Sequence, residues 1–169
     1  MLRFDPDRGC ATLTSPWIGA QGASEGTVIV TGDWAPMEGH GRVVLRDPLA
    51  VYGDLLPILR DADAAVTNLE GVIGPAALTP ILKDGDTIRL PVGVVDALSQ
   101  VPFHLACLAN NHVMDCGPAG LRATLDALAP TGLATVGVWS GTDGPGPIAQ
   151  LPVGGVRVGV LNIAEGEEG

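Results

Sequence analysis

Residues 105–116 bring together polar side chains that could do chemistry as a group. Five apolar residues, Leu105–Ala109, run directly into two asparagines, a histidine and, three residues on, an aspartate. A short continuous apolar run is typical of a strand that is buried on both faces of a parallel sheet. The polar residues then follow the carboxyl end of that strand, where open α/β sheets bind ligands. Asn111, His112 and Asp115 would offer such a ligand an amide oxygen, an imidazole and a carboxylate.

Two earlier apolar runs also end in acidic residues. The β-branched run 28–30 is followed by Asp33, and the short run 64–67 is followed by Glu70. Because the carboxyl ends of parallel strands share one edge, these carboxylates should converge with the amide and imidazole after residue 109. Such a donor set suits Mg²⁺ or Mn²⁺, and zinc becomes an alternative once a histidine takes part. Hydrolysis is the natural use, since a bound metal lowers the pKa of its water.

Each of these residues also has an ordinary structural explanation. Asp33 alone is more often a turn residue than a ligand, and Glu70 alone is more often a surface carboxylate. Asn111 could hydrogen-bond the backbone of its own turn. For His112 alone, a solvated loop residue and a functional residue are equally good interpretations. Their occurrence at consecutive strand ends favours a site.

Other reactive residue types carry weaker signals. We expect His104 to be packed and hydrogen-bonded and Cys116 to be a small packed side chain. We expect His40 to lie in a solvated loop, with a position in the lining of the pocket as the less favoured alternative. Glu165 follows the last predicted strand and is the less favoured candidate for the same edge. The sequence contains neither a Walker-type phosphate loop nor a G-x-S-x-G nucleophile motif.

Strands and helices alternate along the chain, which predicts an α/β fold with βαβ units and a mostly parallel sheet. The stretch 72–90 is expected to be a long irregular loop, and loops of that length are often functional. The run 140–147 is expected to be a connecting loop. Predicted strands cover residues 10–13, 28–30, 64–67, 103–109, 134–138 and 157–163, and predicted helices begin at Asp47-Pro48, Pro91 and Gly117-Pro118.

Composition limits the class of protein. The 169 residues are 46% hydrophobic, which predicts one globular core rather than disorder. The formal net charge of −10 argues against nucleic acid or an acidic membrane as a partner. Three cysteines without C-x-x-C spacing argue against a disulfide framework or a zinc knuckle. No segment has the pattern of a signal peptide or a membrane span, so we expect a cytoplasmic protein.

Three segments together resemble the CapA family, named for capsule and poly-γ-glutamate biosynthesis. They are Thr31-Gly32-Asp33, residues 62–71 with their Asn-Leu-Glu motif, and residues 108–117 with their Ala-Asn-Asn-His motif. The family belongs to the calcineurin-like metallophosphoesterase superfamily. The resemblance covers residues 27–169 after an irregular segment, 1–26. It implies that this chain folds like the first half of a four-layer metallophosphoesterase sandwich.

The resemblance also implies a role for each candidate residue. Asp33 would be a first metal ligand, and Glu70 would stand where an aspartate that bridges two metals is usual. Asn111 would bind metal through its amide oxygen, and His112 would be the catalytic histidine. Asp115 would assist catalysis by orienting His112 or a neighbouring loop. The implied cofactor is a divalent metal, Mn, Mg, Fe or Zn.

One departure from the superfamily leaves two hypotheses for the function. The superfamily takes further histidine ligands from a second half of the domain, including a Gly-His-x-His type motif that this sequence lacks. The domain is therefore expected to be incomplete at its C-terminus, with a missing half or an oligomer partner completing the site. The first hypothesis is a metal-dependent hydrolase of phosphate esters, or a factor in poly-γ-glutamate or capsule biosynthesis, acting on a small-molecule or polyglutamate substrate. The second is a non-catalytic scaffold or assembly protein that retains the fold.

Overall fold

The computed structural model describes residues 2–5, 10–15, 24–139 and 148–165. Within these ranges the chain forms ten strands, four α-helices and two short 3₁₀ turns. The strands are β1 (Leu2–Asp5), β2 (Cys10–Ser15), β3 (Ser24–Trp34), β4 (Ala64–Leu69), β5 (Val72–Ile73), β6 (Arg89–Leu90), β7 (Leu105–Cys107), β8 (Ala134–Val136), β9 (Ala149–Val153) and β10 (Val156–Val160). The helices are α1 (Glu38–Arg46), α2 (Leu55–Asp61), α3 (Val95–Ser99) and α4 (Gly117–Leu128), with 3₁₀ turns at Val92–Val94 and Ala129–Thr131.

A six-stranded sheet in the order β1-β2-β3-β4-β7-β8 forms the centre of the fold. The pairs β3–β4, β4–β7 and β7–β8 are parallel, and the two pairs at the β1 edge are antiparallel. Helices connect each parallel strand to the next, giving three consecutive βαβ units. The predicted α/β fold with a mostly parallel sheet is therefore confirmed.

Strand β4 is covered on both faces, as a central parallel strand should be. Its alternate side chains enter different cores, because successive residues of a strand point to opposite faces. Ala65 and Leu69 pack in the larger core with α1, α2 and α3. Ala64 and Val66 pack in a smaller core with the hairpin β9–β10.

The helix predicted to begin at Asp47-Pro48 begins later, at Leu55, where its predicted apolar residues form α2, and Asp47 instead ends the preceding helix. Asp47 follows α1 with an extended backbone (φ −142°, ψ 95°), and its N–H bonds the carbonyl of Val43. Its Oδ1 accepts a hydrogen bond from Leu49 N at 3.2 Å, a local turn that aspartate also favours. Helix α1, with its two glycines, was not predicted. Gly41 is needed there, since a Cβ atom would lie 2.9 Å from the Pro36 carbonyl.

The strand predicted over 157–163 does not join the central sheet. It corresponds to β10, which pairs antiparallel with β9 in a separate two-stranded sheet. Gly154 and Gly155 form the connecting turn, and both have positive φ angles (51° and 83°), which favour glycine. The predicted loop 140–147 lies outside the described residues.

The long stretch 72–90 is less irregular than predicted. Its ends are β5 and β6, which pair in parallel, and we call residues 74–88 between them the strap. The strand predicted over 103–109 is regular only over Leu105–Cys107. In the N-terminal segment, described in part, β1 and β2 join the sheet, and β2 includes the strand predicted over 10–13. No helix of the described residues combines the length and apolarity needed to cross a bilayer.

Candidate active site

The ends of three neighbouring strands bring the predicted polar residues to one edge of the sheet. Register places Asp33 of β3 beside Asn68 of β4, and Asn68 beside Cys107 of β7. Asn68 Nδ2 donates to Asp33 Oδ1 at 2.8 Å and to Glu70 Oε2 at 3.4 Å. One amide therefore links the two predicted acidic ligands.

Asn110 connects this edge to the turn that carries His112. Its Nδ2 donates to Asn68 Oδ1 at 3.2 Å and to the Leu69 carbonyl at 2.9 Å. Its Oδ1 accepts the backbone N–H of His112 at 3.0 Å. The turn after β7 is thus fixed to the end of β4 by a single side chain that uses both ends of its amide.

The imidazole of His112 lies between two carboxylates. Its Nδ1 is 2.8 Å from Asp115 Oδ2, and its Nε2 is 3.6 Å from Glu70 Oε1. A carboxylate oxygen can only accept a hydrogen bond, so the contact with Asp115 assigns the ring hydrogen to Nδ1. In the neutral ring, Nε2 then carries the lone pair on the side of Glu70.

Asp115 is fully buried and binds the strap as well as His112. Its Oδ2 accepts the N–H of Ile88 at 2.5 Å, and its main-chain carbonyl accepts the N–H of Ile81 at 2.8 Å. Its Oδ1 is 2.5 Å from the ammonium nitrogen of Lys83. The resemblance implied that Asp115 orients His112 or a neighbouring loop, and Asp115 contacts both.

The two linked carboxylates have opposite pKa shifts. The hydrogen bond from Asn68, followed by Glu70 and the charge of His112, lowers the pKa of Asp33. Burial, followed by the neighbouring Asp33 carboxylate, raises the pKa of Glu70. Negative charge in the pair is therefore held first by Asp33, and Glu70 is the readier to keep a proton.

Asn111 lies at the rim of the cluster. Its side chain is exposed, and its main-chain carbonyl accepts a hydrogen bond from Lys83 Nζ at 3.2 Å. In the turn after β7, Asn110 is the asparagine whose amide enters the network. Asp33, Glu70, His112 and Asp115 are thus together, and Asn111 is adjacent and exposed.

Sequence reasoning missed Asn68, Asn110 and Lys83 as members of this cluster. Asn68 and Asn110 lie in the motifs that carry the family resemblance, but no role was predicted for them. Each nevertheless follows the pattern of polar residues at strand ends. Lys83 had a different signal, because it is the single lysine of the sequence and lies within the long stretch predicted to be functional.

The remaining candidates lie outside the hydrogen-bonded cluster. His40 is exposed as predicted, but it lies in α1 and not in a loop. It lines a cavity of about 320 Å³ together with Asp33, which was the less favoured alternative. His104 is exposed, and its Nδ1 accepts the N–H of Ala65 at 3.0 Å, which gives the predicted hydrogen bond without the predicted burial. Cys116 is buried, and burial raises the pKa of its thiol. Glu165 is exposed.

The donors at the edge have the chemistry of a divalent-metal site, but they do not enclose one. Asp33, Glu70 and His112 offer carboxylate oxygens and an imidazole nitrogen. Among the described residues, however, no three histidine, cysteine or acidic side chains are grouped closely enough to hold an ion. Asn68 Nδ2 instead lies between the acidic pair.

A mostly parallel α/β sheet with carboxylates and a histidine at its carboxyl edge is the class that these observations define. The chain belongs to the bacterial capsule synthesis protein family PGA_cap, whose family model matches residues 27–169. The resemblance drawn from the three motifs is thereby confirmed at the level of the family.

Two curated relatives share part of this sequence. Both carry the name "Probable polyglutamine synthesis accessory protein" and come from Mycobacterium tuberculosis, one from strain CDC 1551 / Oshkosh and one from strain ATCC 25618 / H37Rv. Each is 34% identical over 110 residues, which cover 57% of this chain and 27% of the relative. The matched part therefore spans about a quarter of the length of these relatives.

Proposed function

We propose that this chain provides the polar site of a capsule or poly-γ-glutamate synthesis protein, and that the site hydrolyses phosphate esters with a divalent metal. The observation that carries the proposal is the position of His112, whose ring lies between the buried Asp115 and the carboxylate edge. An imidazole with one nitrogen anchored and the other facing a group of acidic oxygens is suited to proton transfer beside a metal.

In this proposal Asp33 and Glu70 hold the metal, with Asn111 as the third ligand that the resemblance implies. The metal, when bound, supplies an activated water and neutralises charge on the phosphoryl group. Asn68 hydrogen-bonds one oxygen of each carboxylate, so these two bonds would be given up by carboxylates that hold a metal. Mn²⁺, Mg²⁺, iron and Zn²⁺ all suit these donors.

His112 acts as the proton donor to the leaving group. Its Nε2 is on the side of Glu70, where the substrate would lie, and its Nδ1 is held by Asp115. A buried carboxylate on Nδ1 fixes the orientation of the ring and stabilises the imidazolium from which a proton is given. Asp115 therefore serves this reaction as a positioning residue.

The names of the relatives and the charge of the chain support a substrate class for this proposal. A role beside the polymerising machinery agrees with the word "accessory" in the names of the two relatives. A net charge of −10 disfavours tight binding of the long polyanion itself, so a phosphorylated small molecule is the better candidate than polyglutamate.

The test is hydrolysis of an alkyl phosphodiester, whose alcohol leaving group needs a proton, with added Mn²⁺ by the wild-type protein, His112→Ala and His104→Ala. We expect His112→Ala to lose about 100-fold or more in kcat, the usual range for a general acid. His104→Ala is the matched control, because it removes an exposed histidine outside the cluster. Equal activity of the wild type and His112→Ala would contradict the proposal.

A non-catalytic scaffold is the second candidate, and one observation favours it. The acidic pair is bridged by an amide, and the described residues form no group of three metal-binding side chains. Metal analysis of protein purified without chelators separates the two candidates. Stoichiometric metal that is lost in the variant Asp33→Asn supports the hydrolase, whereas metal-free protein without phosphodiesterase activity supports the scaffold.

A further inference from the structure

Lys83 is the single lysine of the sequence, and its ammonium group lies within the site. Its side chain is only 19% exposed. The nitrogen is 2.5 Å from Asp115 Oδ1, 3.2 Å from the Asn111 carbonyl and 3.3 Å from His112 Nδ1. It therefore contacts three residues of the turn 111–115, including both of its ends.

Two of these contacts compete for the same ring nitrogen. Lys83 can only donate, so it would favour a bare Nδ1, whereas the carboxylate of Asp115 can only accept and favours Nδ1–H. The contact with Asp115 is shorter, at 2.8 Å against 3.3 Å, so Nδ1–H is the form that the geometry favours. Lys83 then has two partners left, Asp115 Oδ1 and the Asn111 carbonyl.

We propose that Lys83 is a positioning residue that clamps the turn 111–115 and so fixes the orientation and tautomer of His112. By pairing with Asp115 Oδ1 it holds the carboxylate with Oδ2 towards the ring. By binding the carbonyl of Asn111 it holds the backbone just before His112. The consequence for catalysis rests on the proposed function, whereas the effect on the ring requires neither metal nor substrate.

The strap has other attachments, so the effect of Lys83 can be separated from folding of the strap. The N–H groups of Ile81 and Ile88 both bond Asp115. Arg89 Nη1 donates to the carbonyls of Ala76 and Leu78 at 2.9 and 2.6 Å. Removal of the Lys83 ammonium leaves all four bonds in place.

The experiment is ¹⁵N NMR of the histidine side chains in metal-free protein. The sequence has three histidines, and His112→Ala assigns the signals of His112. The variants are Lys83→Met, which removes the charge at similar length, Lys83→Arg, which keeps it, and Arg89→Met. Arg89→Met is the matched control, because it removes a cation that ties the strap without touching His112. Thermal unfolding of each variant verifies the fold.

We expect the wild-type spectrum to show His112 in a single tautomer, with hydrogen on Nδ1. In Lys83→Met the two ring nitrogens should move towards the averaged shifts of a mobile imidazole, and in Lys83→Arg they should return towards the wild-type values. Arg89→Met should leave them unchanged. With Mn²⁺ and substrate, Lys83→Met should lower kcat about tenfold with little change in KM, in the range found for residues that orient a ligand.

Three results would overturn the proposal. They are a tautomer mixture in the wild type, an unchanged spectrum in Lys83→Met, and an equal change in Arg89→Met. The first needs no variant, so it applies even if Lys83→Met does not fold. A wild-type protein without phosphodiesterase activity would contradict the proposed function and leave the assignment of Lys83 intact, because the NMR result is independent of turnover.

Discussion

Two relays of polar contacts hold opposite sides of the site, and only one of them is charged. In the neutral relay, Trp34 Nε1 donates to Tyr52 Oη at 3.0 Å, and Tyr52 Oη donates to the Ala97 carbonyl at 3.0 Å. It fixes the end of β3, directly after Asp33. The charged relay consists of Lys83, Asp115 and His112 and fixes the turn after β7.

The difference between the relays shows how the two sides of the site are positioned. The neutral relay lies in the larger apolar core, and each of its polar groups has a partner, so burial costs little beyond what the hydrogen bonds return. The charged relay places a carboxylate in a fully buried position, which is tolerated only while its partners remain. The acidic side of the site is thus supported by packing, and the imidazole side by charge.

The largest effect should come from breaking the charged relay at its centre. Asp115→Ala removes the partner of Lys83 and of the N–H of Ile88, and it leaves that N–H buried without an acceptor. We expect it to lower the free energy of unfolding by about 3 kcal/mol or more, as loss of one member of a buried pair does. Urea denaturation measures the change.

Asp84→Ala is the matched control for this variant. Asp84 is the neighbour of Lys83 in the strap and is exposed, so its removal should change the free energy of unfolding by no more than about 0.5 kcal/mol. If Asp115→Ala were as mild as Asp84→Ala, the strap and turn would be held by something other than the charged relay.

The neutral relay should make the free energy of unfolding depend on pH in the alkaline range. Burial, opposed only in part by the hydrogen bond from Trp34, raises the pKa of Tyr52 to about 12. An unfolded chain ionises tyrosine near pH 10, roughly the model-peptide value. Between these two values the folded protein retains a proton that the unfolded chain has lost, so the free energy of unfolding falls as pH rises. The total loss is on the order of 2 kcal/mol, and below the unfolded pKa the full stability is present.

Tyr52 is the only tyrosine of the sequence, so tyrosinate absorbance follows its ionisation alone. We expect a midpoint well above 10 in the folded protein and a flatter alkaline stability profile in Tyr52→Phe. At neutral pH Tyr52→Phe should cost about 1 kcal/mol, less than Asp115→Ala, because it leaves no charge unpaired. A midpoint near 10 would show that the relay is open to solvent and would remove the contrast with the charged relay.

The pattern of the sequence was sufficient for the parallel strands of the central sheet and for their polar edge. Apolar runs that end in polar residues predicted where β3, β4 and β7 deliver Asp33, Glu70 and His112, because strand direction alone fixes that edge. Helix α1 could not be predicted in the same way. Its two glycines lower helix propensity, and Asp47-Pro48 resembles a helix start, yet tertiary packing of Val44 overrides both.

The partners of Lys83 and of the two asparagine amides could not be predicted from the neighbouring sequence. Lys83 is 32 residues from Asp115 in sequence, and nothing in its neighbours reports that the strap folds over the turn after β7. Which of the two asparagines turns inward depends on the backbone of that turn, where Asn110 meets Asn68 across the sheet edge. Motifs identified the residue types, and only the tertiary fold assigned their partners.

The smallest effect on stability should come from a variant on the acidic side of the site. Such a variant can separate an effect on folding from an effect on metal binding. Glu70→Gln retains the shape of the side chain and removes a charge that burial and Asp33 already oppose, so its free energy of unfolding should change by less than about 0.5 kcal/mol. Mn²⁺ affinity, measured by calorimetric titration, should nevertheless fall about tenfold or more, because an amide is a weaker ligand than a carboxylate for a hard cation.

Asp126→Asn, which neutralises an exposed carboxylate of α4, is the control and should alter neither quantity. A large loss of stability in Glu70→Gln would mean that the acidic side depends on charge as the imidazole side does. Unchanged Mn²⁺ affinity would instead show that Glu70 is not a metal ligand. The two relays would then stabilise a non-catalytic scaffold.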